Sequence, residues 1–337
     1  MAAPPSPALC SASPCRVATR LAPPASSRAG AASRLLVSSG GCCCRGAQGS
    51  SGLRRLVARP PVPFAARRGG GRGEVAAEDG DGTRALLQAA LWGAEAAYIL
   101  WLFLLPYAPV RAGDPVWAIS HATISDLIGL SLNFFFILPL LNSAGVHLLE
   151  SPVLHPMAEG LFNFVIAWTL MFAPLLFTDS RRDRYKGSLD ILWGFQMFLT
   201  NTFLIPYMAI RLNDPDTDKS PPPRSQLGSV MVKGAQVVGA VGGAVCILSI
   251  VWALFGRADA GFGDIAERWE YVQNYVFSER LAYAFLWDIL LYSIFQPWLI
   301  GDNIQNVKAD ATEFVNVVKF IPVVGLVAYL FCLEKED

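Results

Sequence analysis

The sequence predicts an all-α protein, a polytopic bundle of about seven transmembrane helices with six as the alternative. Three observations lead there. Apolar stretches of about 20 residues recur, and at about 1.5 Å per residue a helix of that length crosses a hydrocarbon core of roughly 30 Å. Mean hydropathy is +0.40, and only 16% of residues are charged, against about 25% in soluble domains. The few polar residues inside the stretches stand at helical spacing, as they do on packed faces.

Residues 1–73 come first and differ from everything after them. They are rich in Ala, Ser, Pro, Gly and Arg, with eleven Arg, no Lys and no acidic residue. That is the composition of an organelle import leader, and the MAAPPSPA start with its Ser and Pro content favours a plastid. Cleavage is expected between about Ala65 and Ala77, before the membrane domain, residues 84–337. Outside the leader, 16 basic residues face all 27 acidic ones. No basic patch remains there, which argues against nucleic-acid binding. Five of seven cysteines fall in the leader; Cys246 and Cys332 lie in apolar stretches and read as buried, inert thiols.

Span one is expected over residues 85–107, with Ala89, Gly93 and Ala97 at four-residue spacing for close helix approach. Pro106 and Pro109 end it. Span two, 124–148, contains Pro139 and should kink there. Span three, 157–177, starts behind Pro156, a residue suited to a first helical turn. A charged loop leads to span four, 189–210. Residues 213–228 read as an exposed linker. Span five, 235–255, carries the Gly239–Gly243 pair, a tight packing face. Residues 257–279 read as an amphipathic interfacial segment. Span six, 281–300, holds one charge, Asp288. Span seven, 314–332, is interrupted by Lys319 and Pro322.

Acidic residues inside spans cost roughly 2.5–3.5 kcal/mol on insertion scales, so they must face protein or water. Asp126, Glu159 and Asp190 stand near span starts and fit helix N-termini. Glu95 and Asp288 lie deeper and are the candidate acid–base or anchoring groups. Asp288, Tyr292 and Gln296 form one polar stripe, and Gln88, Trp92 and Glu95 another. Tyr292, Gln296, Gln196, Asn201, Asn133 and Lys319 are the expected ligand-lining residues; an interhelical hydrogen bond, or a buried pair with Lys319, is the structural alternative for Glu95 and Asp288. The three histidines, His121, His147 and His155, are too few for a membrane di-iron centre, and no metal site or cofactor is expected. Nucleotide, serine-triad and CxxC motifs are absent after the leader.

FSERLAYAF (277–285) and FIPVVGLVAYL (320–330), with Pro322 and Gly325, resemble the end of the plastid membrane family required for neoxanthin formation, the abscisic-acid-deficient type. The resemblance implies a multispan protein of the plastid envelope or thylakoid with an isoprenoid ligand. That family carries a His in the matching helix, whereas this chain has none after His155, so no catalytic residue transfers.

The expected function is a scaffold or assembly partner of a complex in the chloroplast membrane, thylakoid or inner envelope. The alternative is a binder or enzyme acting on a carotenoid, quinone or other isoprenoid lipid. A secondary transporter is the third class. Expected partners are membrane lipid, other membrane subunits, and a carotenoid or quinone.

Overall fold

The computed structural model describes residues 73–105, 116–214 and 223–334. All of them belong to one compact unit, Arg67–Asp337. The expected leader, the Pro106–Pro109 ending of span one and residues 215–222 of the linker lie outside the described residues.

The described residues form twelve α-helices. They are α1 (Gly73–Ile99), α2 (His121–Leu132), α3 (Ile137–Ser143), α4 (Pro156–Phe177), α5 (Leu189–Leu199), α6 (Asn201–Ile210), α7 (Gln226–Lys233), α8 (Ala235–Phe255), α9 (Ile265–Ser278), α10 (Arg280–Asp302), α11 (Thr312–Val318) and α12 (Val324–Cys332). Four stretches are long and apolar enough to cross a membrane: Asp81–Leu104, Pro156–Phe177, Ala235–Phe255 and Arg280–Asp302. The first joins α1 to a π-helical turn, Leu100–Leu104.

Helix α4 is the axis. Its sequence is apolar almost all round, the pattern of a helix buried on every side, and nearly all of it is buried. Helix α8 lies along it. Glycines make that approach possible: a Cβ on Gly160 would sit 2.7 Å from the Ser249 carbonyl oxygen, and one on Gly242 would run into the Met171 side chain. The Gly239–Gly243 pair faces α12 instead, next to Leu330 and Val327.

Polar clusters mark the two ends of the bundle. At one end Asp179, just after α4, meets Arg211, just after α6, and Asp302, the last residue of α10. Arg211 donates to both Asp179 oxygens (2.9 and 2.8 Å) and to Asp302 (2.9 Å). Tyr207 and Asn303 also donate to Asp179. Burial alone would raise the Asp179 carboxyl, but the hydrogen bonds and charge of Arg211 outweigh it and hold the group below its ordinary value. At the other end Glu159, in the first turn of α4, pairs with Arg257 (2.7 Å), just after α8, and accepts from Trp252 and Asn133.

These clusters settle where each segment goes. Helix α5 follows Asp179, and α6 ends at Arg211, beside Asp179. So α5 and α6 form a helical hairpin that enters the bundle and returns to the same end. Thr200 is its tip, with φ of 41°. Helices α11 and α12 do likewise: Lys308 N donates to the Cys332 carbonyl (3.0 Å), and Val307 bridges Leu333. Their tip is residues 319–323, where Val323 has φ of 64°. Helices α2 and α3 bend by 41°. Asn133 beside Glu159, and Asn142 bonded to Ser151, tie both halves to the Glu159 end. Pro139 lacks an amide hydrogen and its ring crowds the carbonyl four residues back; the break falls there, at Phe135 and Phe136, whose φ are 53° and 58°.

The seven expected spans thus resolve into four through-running helices and three broken segments. Spans four and seven are corrected: each was expected to cross, and each turns back. Span two carries the break expected from Pro139, a bend of 41°. Helix α7 begins at Gln226, inside the expected linker, capped by Ser225. Helix α9 forms inside the expected interfacial segment, opened by an Asp264–Glu267 capping box.

Candidate functional site

Helix α10 organises the interior. Asp288, Tyr292 and Gln296 recur one turn apart and all three are buried, as the stripe predicts. Each meets a different partner.

Gln296 holds the tip of the α11–α12 hairpin. Its Nε2 donates to the carbonyls of Lys319 and Ile321, both at 2.9 Å, and its Oε1 accepts from Val323 N (3.1 Å) and Trp168 Nε1 (3.0 Å). A broken helix exposes backbone groups that must find partners when buried, and one amide satisfies three of them here. Tyr292 meets Thr169 of α4 at 2.7 Å. The Thr169 hydroxyl already donates to the Val165 carbonyl, so the tyrosine donates.

Asp288 holds the tip of the α5–α6 hairpin. Its Oδ1 accepts from Thr200 Oγ1 (2.7 Å), Asn201 Nδ2 (2.7 Å) and Tyr98 Oη (3.3 Å). It sits at the start of α6, where unpaired N–H groups and the helix dipole favour an acceptor. Its Oδ2 is buried and has no hydrogen-bond partner, and the same is true of Asn201 Oδ1 and of both polar atoms of Gln196.

Beside this cluster, between α1, α6 and α10, lies an apolar cleft of about 200 Å³. Its lining includes Ala94, Ala97, Tyr98 and Ile205, together with a triad of aromatic rings. Trp101, Tyr283 and Trp287 stand 5.9–6.3 Å apart, edge to face. Tyr98 belongs to both places: its ring lines the cleft and its hydroxyl reaches Asp288.

The remaining expectations divide. Gln196 and Asn201 do reach the α10 neighbourhood, Gln196 beside Tyr292. Glu95 is buried on α1, one turn before Tyr98, and its Oε2 has no partner. Trp92 is 44% exposed and leaves the Glu95 stripe, which Leu91, Tyr98 and Leu102 complete instead. Asn133 is corrected: it donates to Glu159 and the Pro152 carbonyl, away from Asp288. Lys319 is corrected too. Its Nζ donates to Asn316 (2.9 Å) and only its carbonyl touches the stripe, through Gln296. Placed in the turn of a hairpin, its side chain points away from the site.

Several residues of consequence went unread in the sequence: Tyr98, Asn163 and the Asp179–Arg211 pair. Asn163 holds the α2–α3 break, accepting from Phe135 N (2.6 Å) and donating to the Asn133 carbonyl. A legible signal existed for the ion pair, since Asp179, Arg211 and Asp302 each stand at the end of an apolar stretch. His155 caps α4 and stacks on Tyr271 with ring centres 3.4 Å apart. Burial, with the nearby Arg268 charge, pushes it down to about 4. Among the described residues no three His, Cys, Asp or Glu side chains group as metal ligands.

Comparison with family models, with characterised proteins and with solved structures returns no match.

Proposed function

We propose that the protein is a multi-pass plastid membrane protein that works as a secondary carrier for a small, largely apolar molecule. The observation that carries this reading is the α5–α6 hairpin, whose tip rests on a buried carboxylate next to an apolar cleft. Non-helical backbone at that depth is tolerated where it is buried in protein or lines a cavity. Carriers place binding sites where interrupted helices meet. The aromatic triad offers flat apolar surface and Tyr98 a single polar contact, the make-up of a small-molecule site.

A second reading, a binder or enzyme for a carotenoid, quinone or other isoprenoid lipid, is favoured by the same cleft without movement of the hairpin. Helical packing with most polar residues used internally favours the scaffold.

The test is purification of the full chain from plastid membranes, followed by mass spectrometry of the small molecules it retains. Ala94→Leu with Ala97→Leu fills the cleft. A prenyl lipid or pigment held by the native chain and lost from this variant supports the site. Uptake of that molecule into liposomes containing the protein supports the carrier, and retention without uptake supports the binder. Stoichiometric polypeptides with no small molecule would leave the scaffold. Release of the protein by alkaline carbonate would contradict all three.

A further inference from the structure

We propose that Asp288 is an internal proton-binding site, with the proton on Oδ2. The argument begins with how its two oxygens are used. Oδ1 accepts three hydrogen bonds, from Thr200, Asn201 and Tyr98. Oδ2 accepts none, although it is buried. A carboxylate in such a place would leave one oxygen, and much of its charge, without compensation. Isolated buried charge is among the costliest arrangements in a protein, and such groups neutralise instead.

A carboxylic acid in the same place carries no charge to compensate. Its carbonyl oxygen accepts, which is what Oδ1 does, and its hydroxyl needs an acceptor. Two unpartnered buried acceptors stand in this cluster, Asn201 Oδ1 and Gln196 Oε1. Asn201 is already in contact with Asp288 through its amide nitrogen, 2.7 Å from Oδ1. All three side chains are at least nine-tenths buried. Three unpartnered acceptors, Asp288 Oδ2, Asn201 Oδ1 and Gln196 Oε1, stand against one unpartnered donor group, Gln196 Nε2, so the cluster is short of donors. One proton bound to an Oδ2 lone pair supplies a donor and removes the negative charge.

The groups facing Asp288 agree with this. They are Tyr98 from α1, Thr200 and Asn201 from the hairpin tip, and Tyr292 from its own helix. None carries a full positive charge; the Asn201 backbone N–H at the start of α6 is the one opposing dipole. Asp179 is the contrast: equally buried, but gripped by Arg211 through both oxygens. The site also connects to the cleft, because Tyr98 touches both. Occupancy of the cleft and occupancy of Asp288 are then coupled through one hydroxyl. This makes the proton the coupling ion of the carrier proposed above, although proton binding itself stands without that reading.

The experiment is infrared spectroscopy of the purified full chain, titrated from pH 8 down to pH 5. A protonated-carboxyl stretch is expected. It should shift in heavy water, shift with isotope-labelled aspartate, vanish in Asp288→Asn and persist in Glu95→Gln. Replacing sodium by choline should leave it unchanged. Labelled aspartate in the unaltered protein keeps the test open if Asp288→Asn does not fold. Absence of an aspartate-derived band overturns the proposal. So does an aspartate-derived band that survives Asp288→Asn. A band that appears only when sodium is withheld overturns it in favour of a metal cation at Oδ2. Failure of solute uptake with the band present would remove the carrier and leave the proton site standing.

Discussion

The through-running helices and the two hairpins are built from similar residues but held together differently. Helices α4 and α8 pack by close contact of small residues, with Gly160 and Gly242 letting backbone meet side chain. The α5–α6 and α11–α12 hairpins carry their own breaks, and polar side chains of α10 close them. Proline does not by itself separate the two kinds. Pro174 and Pro297 sit inside α4 and α10, which continue through them. Pro206 and Pro322 belong to the hairpins. What distinguishes a hairpin is the partner waiting at its tip, Asp288 or Gln296. Continuity is therefore decided by the neighbouring helix as much as by the segment itself.

The comparison can be strained at several points, and the largest effect should come from the clasp that fixes both ends of α5–α6. Arg211→Met leaves Asp179 buried and without its cation, and breaking such a pair costs roughly 3–5 kcal/mol. Unfolding by denaturing detergent in mixed micelles would measure it. A loss under about 1 kcal/mol would match an exposed pair and contradict the clasp.

Gln296→Leu comes next. It leaves two carbonyls and one N–H of the α11–α12 tip unsatisfied, together with Trp168 Nε1. At about 1–3 kcal/mol for a stranded buried group, with partial relaxation, about 3 kcal/mol is expected in the same assay. Gly160→Ala probes the other kind of contact. Its Cβ would meet the Ser249 backbone oxygen at 2.7 Å, so overpacking of about 1–3 kcal/mol is expected. Gly93→Ala, with open space around it, is the control, expected to be unchanged or to gain up to about 1 kcal/mol from helix propensity.

The last effect is a pH slope. The folded His155 is pushed down to about 4 from its ordinary 6.5. As pH falls below 6.5 the unfolded chain takes up this proton and the folded chain does not. Its contribution is therefore complete above 6.5 and is lost between 6.5 and about 4. His155→Asn keeps a capping side chain and should flatten the stability profile in that window. The Asp179 contribution is lost at lower pH, as its carboxylate is protonated, and should remain in the variant.

Helix class, the apolar stretches and the α10 stripe were legible in the sequence because periodicity and length report them directly. Asp288, Tyr292 and Gln296 were read as one face, and they are one face. Turning back was not legible. A stretch such as 189–210 has the length and composition of a crossing helix, and only the meeting of Arg211 with Asp179 shows that it returns. The same topology explains the misplacement of Lys319 and Asn133. Both were positioned by counting along continuous helices, and both lie where a helix is interrupted.

Peptide-resolved hydrogen exchange of the full chain in lipid nanodiscs, native against Gln296→Leu, tests most directly whether α10 holds the hairpins. Faster exchange confined to residues around 319–325, with α4, α8 and the α5–α6 tip unchanged, is the predicted result. Unchanged exchange at that tip, or acceleration spread evenly over the bundle, would contradict it.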